Sequence, residues 1–316
     1  MSAAPALPEK PKGKRPIGWI VAAAVVVVAI VVAVIVGAVR SGGSDSGAAG
    51  DSAPKTVTIG VADKSLGYWS TYTKLAKEKL DVTVKLTNFS DYSLPNPALK
   101  DGTLDLNQFQ HIQYLADYNV TSNDDLQPIG STAVYPLPLY ATKYQEPSEL
   151  PENAKVAIPN DSINQARALL ILQAADLLEL KDGGSAFSST TDIESSKVDV
   201  QPLDASQTAN ALQQGSVAAA IVNNNFATAA NLPTSDIIYQ DDPSSASAAP
   251  YVNVFAARKA DKDDKTYLAL ADLFQDPAVQ KAFAKDLPEA VARDESASKL
   301  QEELAKVEKD AKAAKQ

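Results

Sequence analysis

The chain has 316 residues, a formal net charge of −10 at pH 7, no cysteine and a single histidine, His111. The acidic balance argues against nucleic acid as a partner and against broad adhesion to anionic lipid. The absence of cysteine excludes disulfides, thiol catalysis and cysteine metal sites. Because only one strong nitrogen ligand remains, no metal site is expected.

The first element along the chain is an apolar run without charge at residues 17–39. As a helix, such a run spans roughly 35 Å, which is enough to cross a hydrocarbon core. It therefore predicts a single transmembrane helix. Lysine and arginine concentrate in residues 1–16, so we expect a cytoplasmic N-terminal tail and an extracellular remainder. Residues 40–55, which are rich in Gly, Ser and Ala, predict a flexible linker.

Patterns typical of strands and helices alternate in the rest of the chain. The predicted strands cover residues 56–61, 82–86, 104–106, 155–158, 198–203, 218–222 and 251–257. The predicted helices cover residues 68–80, 95–100, 163–178 and 206–213, with two more on either side of Pro277. This alternation predicts an α/β fold of mostly parallel sheets with helices on both faces. The length suits two lobes of ordinary domain size.

Polar and aromatic residues follow three of the predicted strands. The stretches 109–114, 160–167 and 223–225 each come directly after a strand. In sheets of this kind, ligands collect beyond the carboxyl ends of the strands. The three stretches therefore predict one small-molecule cleft.

The same segments carry a resemblance to a known family. The motifs, in chain order, are NFSDYSLPNPAL from residue 88, FQHIQYL from residue 109, VAIPND from residue 156, AIVN from residue 220 and PYVN from residue 250. Together they resemble the methionine-binding lipoprotein family (NlpA type) of ABC-transporter solute-binding proteins, over residues 56–290. The resemblance implies a two-lobed periplasmic-binding-protein-like fold of type II. Lobe one would comprise residues 56–142 plus 250–316, and lobe two residues 148–240.

The function that this resemblance implies is capture and delivery of a small ligand at the cell membrane. The protein would be a membrane-tethered extracellular binder of L-methionine, or of a related amino acid, that serves an ABC permease and its ATPase subunits. Two alternatives stay open. The ligand could be another amino acid or a methionine-containing dipeptide, or the protein could be a tethered sensor without a transport role.

Matching the family motifs residue by residue implies a set of ligand-binding side chains. The set is Tyr92, Phe109, His111, Tyr114, Asn164, Arg167, Asn223 and Asn253. Arg167 would bind the ligand carboxylate with its guanidinium fork, and the aromatic rings would surround the thioether. The asparagines offer both a donor and an acceptor to the ligand's polar end. From the residues alone, core packing stays open for the rings and a surface ion pair for Arg167.

Other polar residues have simpler expected roles. Asn224 and Asn225 are expected to cap the following helix. Asp241 and Asp242 are consecutive and are expected to lie in a solvated turn. The chain has neither a Gly-x-Ser-x-Gly nucleophile elbow nor a glycine-rich phosphate loop, so we expect no enzyme and no cofactor.

The C-terminal stretch shows an apolar stripe at helical spacing. Leu300, Leu304, Val307 and Ala311 recur amid charged residues and predict an amphipathic helix. We expect this helix either to dock on lobe one or to fray in solvent. A contact with the permease is the alternative.

Overall fold

The computed structural model describes residues 55–315. The predicted cytoplasmic tail (1–16), the transmembrane helix (17–39) and all but the last residue of the predicted linker lie outside the described residues. Across residues 55–315, none of the helices combines the length and apolar character that a membrane crossing requires.

The described residues form thirteen strands and nine α-helices. The strands are β1 (Lys55–Val61), β2 (Val82–Asn88), β3 (Leu106–His111), β4 (Gln127–Val134), β5 (Pro138–Tyr140), β6 (Lys155–Pro159), β7 (Leu178–Leu180), β8 (Ile193–Ser196), β9 (Asp199–Leu203), β10 (Ala219–Ile221), β11 (Ile237–Gln240), β12 (Val252–Ala257) and β13 (Val291–Ala292). The helices are α1 (Tyr68–Leu80), α2 (Pro95–Lys100), α3 (Ile112–Ser122), α4 (Ser162–Ala174), α5 (Ala205–Gln213), α6 (Asn224–Ala229), α7 (Lys265–Leu273), α8 (Pro277–Asp286) and α9 (Ala297–Ala314).

These elements form two lobes, each built on its own sheet. The sheet of lobe one has the strand order β13-β4-β12-β3-β1-β2, and the sheet of lobe two has the order β11-β5-β10-β6-β9. In lobe one, β1 runs parallel to its neighbours, whereas β12 runs antiparallel to both of its own. In lobe two, β6 is flanked by parallel strands and β5 by antiparallel ones. The prediction of mostly parallel sheets is therefore wrong, because strands that re-enter each sheet run against the others.

The chain passes between the lobes through two stretches, which we call the crossing segments. The first crossing segment, residues 135–137, joins β4 to β5, and the second, residues 241–251, joins β11 to β12. Strand β5 lies in the range predicted for lobe one. It nevertheless belongs to the sheet of lobe two, since it pairs with β10 and β11.

Two predicted boundaries differ from the structure in ways that affect the site. Strand β3 continues to His111, so Phe109 lies within a strand and not beyond its end. Helix α4 ends at Ala174, earlier than predicted, because the chain turns at Asp176 with a φ of 58° in the left-handed region and then enters β7.

The C-terminal helix is docked on lobe one. The stripe Leu300, Leu304, Val307 and Ala311 is buried, and its leucines and valine share an apolar cluster with Ile112 and Leu115 of α3. Asn119 of α3 also donates to the Glu308 carboxylate, at 2.8 Å. The amphipathic pattern therefore predicts this helix correctly, and the docked arrangement is the one that the structure has.

Candidate ligand-binding site

A cleft lies between the lobes beside the crossing segments. It holds about 730 Å³ of empty space, including solvent at its mouth. The eight residues predicted to bind ligand all line it: Tyr92, Phe109, His111, Tyr114, Asn164, Arg167, Asn223 and Asn253. Residues from six different elements and loops therefore meet in one place. They include residues of all three stretches that the strand-end argument brings together, 109–114, 160–167 and 223–225.

Three aromatic side chains of lobe one form a wall in this cleft. The ring centroids of Tyr92, Phe109 and Tyr114 lie 5.8 to 6.3 Å apart. Phe226 of lobe two does not line the cleft but packs against this wall, with its ring 5.2 Å from that of Tyr92. The tilted and edge-on arrangements are those that aromatic quadrupoles favour. Such a wall suits an apolar or thioether side chain.

His111 ends β3 and is the N-cap of α3. Its Nδ1 accepts the backbone N–H of Tyr114, at 3.2 Å, so the proton of the neutral ring is on Nε2. Burial, reinforced by the positive charge of Arg167, lowers the pKa of His111 to about 3. The ring is therefore a neutral Nε2–H donor at physiological pH.

Arg167 is held on three sides by protein groups. Its Nε donates to Oδ2 of Asp241 at 2.8 Å, and its Nη2 lies 2.7 Å from the same oxygen. Nη2 also donates to the carbonyl oxygen of Tyr135 at 2.8 Å. The guanidinium carbon sits 4.2 Å from the ring centroid of Tyr251, within cation–π range.

This arrangement decides how Arg167 can meet a ligand. Its side chain is only 7 % exposed, so the surface ion pair left open by the sequence does not describe it. A guanidinium has five N–H donors, and Nε and Nη2 carry three of them. The two N–H groups of Nη1 have no protein acceptor among the described residues, and these remain for an anionic ligand.

Asn164 and Asn223 form a second polar corner. Asp161, the N-cap of α4, accepts the backbone and side-chain N–H groups of Asn164 at 2.9 to 3.1 Å. Asn164 in turn accepts Nδ2 of Asn223 at 3.0 Å. Oδ1 of Asn223 is buried without a hydrogen-bond partner in the described part of the chain. Buried acceptors are rarely left unpaired, so this oxygen marks a position for a donor on a ligand.

The neighbouring asparagines do not have the capping role expected of them. Helix α6 begins at Asn224 without a side-chain capping bond. Nδ2 of Asn224 instead donates to the carbonyl oxygen of Pro136 in the first crossing segment. Oδ1 of Asn225 accepts the hydroxyl of Tyr92 across the cleft. Both side chains therefore tie lobe two to other parts of the molecule.

Several residues of the site have no signal in the sequence. Asp241 belongs to the site because it pairs with Arg167, which corrects the expectation of a solvated turn. Asp242 does form a local turn and accepts the N–H of Ser244.

Asp63 also lines the cleft, where its carboxylate accepts the hydroxyl of Tyr68 and Nε1–H of Trp69. Burial raises the pKa of Asp63 to about 6.

The site offers binding chemistry: a buried cation, neutral amide and imidazole groups, and an aromatic wall. Within residues 55–315, no group of three or more His, Asp or Glu side chains is arranged to hold a metal ion. A ligand with an anionic end and an apolar end matches this set of groups.

Comparison with known proteins shows the family. The model of the NlpA lipoprotein family matches residues 57–294. A curated relative, the D-methionine-binding lipoprotein MetQ of Salmonella typhi, is 37% identical over 215 residues, which is 67% of this chain and 78% of that protein. The chain therefore belongs to the NlpA lipoprotein family of two-lobed binding proteins.

Solved structures agree with this assignment. A nutrient-binding protein from Burkholderia cenocepacia, solved bound to methionine, is 36% identical with a TM-score of 0.69, covering 75% of this chain and 99% of that one. The substrate-binding protein of a methionine transporter from Streptococcus pneumoniae is 30% identical with a TM-score of 0.69, covering 75% and 95%.

Proposed function

We propose that this protein binds methionine outside the cell and delivers it to an ABC importer, that is, to a permease and its ATPase subunits. Relatives named for methionine binding, together with the cleft described above, support this role. One observation carries it: a buried arginine with two donors that no described residue accepts shares a cleft with an aromatic wall and with an amide oxygen that is unpaired in the same part of the chain.

Each part of the amino acid has a matching group in this proposal. Nη1 of Arg167 binds the carboxylate through charge-assisted hydrogen bonds. Oδ1 of Asn223 accepts from the ammonium, and Asn253 lines the same cleft. The thioether packs among the rings of Tyr92, Phe109 and Tyr114, where each sulfur–ring contact contributes about 0.3 to 1.5 kcal/mol.

Ligand binding in this scheme favours a closed arrangement of the lobes. Tyr92 of lobe one donates to Asn225 of lobe two. Ser162 of α4 donates to Asp117 of α3 at 3.1 Å, again joining the two lobes. A ligand held by both faces binds the closed state better than an open one, and so shifts the population toward it. The closed form is then the one that docks on the permease.

The fold subtype and the anchor are part of the same proposal. The order of strands in lobe one and the two crossing segments suit a type II binding-protein fold. We propose that residues 17–39 anchor the protein as a single-pass helix with the N-terminus in the cytoplasm, because these residues are apolar and the sequence has no cysteine to carry a lipid. The tether keeps the binder at high local concentration near its permease.

Titration calorimetry on the full-length chain in detergent tests the ligand. The protein is first unfolded and refolded to remove bound molecules, then titrated with both methionine isomers, the other amino acids and methionine-containing dipeptides. We expect methionine to bind most tightly. Tighter binding of a ligand without sulfur would refute methionine as the ligand.

Uptake of labelled methionine by cells tests the role in transport. Deleting the protein should abolish high-affinity uptake, and restoring the full chain should recover it. If the purified protein binds methionine but cells that lack it take up methionine at an unchanged rate, the protein is a ligand sensor and delivery is excluded.

A further inference from the structure

Asp241 uses its two carboxylate oxygens for two different parts of the molecule. Oδ1 accepts the backbone N–H of Leu137 at 2.8 Å, in the first crossing segment. Oδ2 accepts Nε of Arg167 at 2.8 Å, on helix α4 of lobe two. Asp241 itself opens the second crossing segment. One carboxylate therefore joins the cleft arginine to both connections between the lobes.

The same pattern is repeated by the other contacts of Arg167. Nη2 donates to the carbonyl oxygen of Tyr135 in the first crossing segment. The guanidinium lies over the ring of Tyr251 at the end of the second. With the Nε and Nη2 edge occupied in this way, the guanidinium cannot rotate without breaking several contacts. Among residues 55–315, nothing accepts the two donors of Nη1, and these are left for a ligand.

We infer that Asp241 is a positioning residue for the ligand carboxylate, acting through Arg167. This inference rests on the proposed function, in which Arg167 binds that carboxylate. Asp241 fixes one edge of the guanidinium so that Nη1 serves the ligand, and it connects the ligand's charge to the segments that join the lobes.

Two physical effects make this role stronger than that of a surface ion pair. The Arg167 side chain is 7 % exposed, so its charge needs a partner inside the protein. An arginine side chain also has several rotatable bonds, and immobilising it at the moment of binding reduces affinity. Asp241 holds the side chain in place before the ligand arrives, which is preorganisation of the binding group.

The test compares two ligands on variants of the full-length chain. Methionine carries the carboxylate, whereas methioninol replaces it with a hydroxymethyl group and keeps the ammonium and the thioether. We expect Asp241→Ala to raise the Kd for methionine by about 10-fold or more, with less than about a 3-fold change for methioninol. Asp241→Asn keeps the side-chain size and should give a smaller loss in the same direction.

Asp242→Ala is the matched control. Asp242 is the next residue, but its bonds are to Ser244 in a local turn. The Asp242→Ala variant should therefore bind methionine and methioninol with unchanged affinity. Methioninol binding to the Asp241 variants reports that the cleft is still folded, so loss of folding cannot be mistaken for the effect.

A double-mutant cycle with Arg167→Ala tests whether Asp241 affects methionine affinity through Arg167. If Asp241 acts through Arg167, Asp241→Ala should add less than about a 3-fold change once the arginine is gone. Equal losses for methionine and methioninol, full additivity in the cycle, or tighter methionine binding by Asp241→Asn would each overturn the inference. Methionine that fails to bind the unaltered chain would instead overturn the proposed function, and the inference with it.

Discussion

Asn223 donates its side-chain N–H to Oδ1 of Asn164 at 3.0 Å, and this bond leaves its own amide oxygen buried and unpaired among the described residues. Asn164 is itself fixed by the carboxylate of Asp161. The chain of bonds therefore determines which end of the Asn223 amide can serve a ligand. An acceptor held in this way suits an ammonium group and not a carboxylate.

Asn223→Ala should weaken methionine binding because the ligand ammonium loses this acceptor. Hydrogen bonds to charged groups contribute about 1.5 to 3 kcal/mol, so we expect roughly a 10-fold or greater rise in Kd. Calorimetry measures the change. Asn210→Ala, at an exposed position of α5, is the control and should bind like the unaltered chain. Unchanged affinity in Asn223→Ala would remove the ammonium assignment.

Tyr92→Phe separates the role of the hydroxyl from that of the ring. The ring stays in the aromatic wall, but the bond to Asn225 across the lobes is lost. A neutral hydrogen bond contributes about 0.5 to 1.5 kcal/mol net, so ligand dissociation should become about 2- to 10-fold faster as the closed state loses this contact. Stopped-flow measurement of ligand release checks this.

Tyr118→Phe is the matched control for that change. The hydroxyl of Tyr118 also donates to a side chain, Asp124, at 3.1 Å, but both residues belong to lobe one and neither lines the cleft. Its release rate should equal that of the unaltered chain. Equal acceleration in both variants would point to a general loss of stability, and would contradict a role for Tyr92 in closure.

His111 should make stability depend on pH. Burial, with a smaller effect from Arg167, lowers its pKa to about 3, whereas a histidine in the unfolded chain titrates near 6.5. Between these values the unfolded chain binds a proton that the folded chain does not bind. Stability contributed by the neutral ring is therefore complete above about pH 6.5 and is lost progressively as the pH falls toward 3.

Urea denaturation at pH 7.5 and pH 5.0 measures this effect, with His111→Asn as the comparison. Asparagine can still cap α3, but it does not titrate. The unaltered chain should lose about 2 kcal/mol more between the two pH values than the variant loses. Asp63, with its pKa raised to about 6, binds a proton more readily when folded and so acts in the opposite direction. It is present in both proteins and cancels in the difference.

Local patterns predict a large part of the fold. Helices α1 and α2 begin and end at the predicted residues, because apolar spacing, Pro95 at the helix start and Gly102 after its end are local signals. Strand β4 has no such signal, since its buried residues include Ser131 and Thr132. Their hydroxyls are satisfied by carbonyl oxygens far along the chain, those of Arg293 and Asn253. A sequence pattern predicts that a polar residue is exposed unless the distant residue that hydrogen-bonds to it is known.

The candidate site likewise contains residues that the sequence predicts and a residue that it does not predict. The eight cleft residues could be predicted because all of them match family motifs, and six of them also lie in the three stretches expected after strands, although Phe109 proves to lie within β3. Their contacts to a ligand stay a prediction. Asp241 could not be predicted, since its partner Arg167 is 74 residues away and no periodicity links them. The sequence also could not show how much of the Arg167 guanidinium is available to a ligand. Because Nε and Nη2 contact Asp241 and the carbonyl oxygen of Tyr135, only Nη1, and not the whole fork, remains for a carboxylate among the described residues.

Leu304→Ala should separate the stability of the protein from its ligand binding. The side chain is 2% exposed, packs with residues of α3 and β12 in lobe one, and is not among the residues that line the cleft. Truncating a buried leucine costs about 2 to 5 kcal/mol, whereas Leu94→Ala, at a position 50% exposed, should change stability by less than about 0.5 kcal/mol. Methionine affinity of the folded Leu304 variant should be unchanged, since none of the four stripe residues is among those that line the cleft. A variant that keeps its stability and its methionine affinity but loses methionine uptake would instead place α9 at the permease, because neither folding nor ligand binding could then account for the loss.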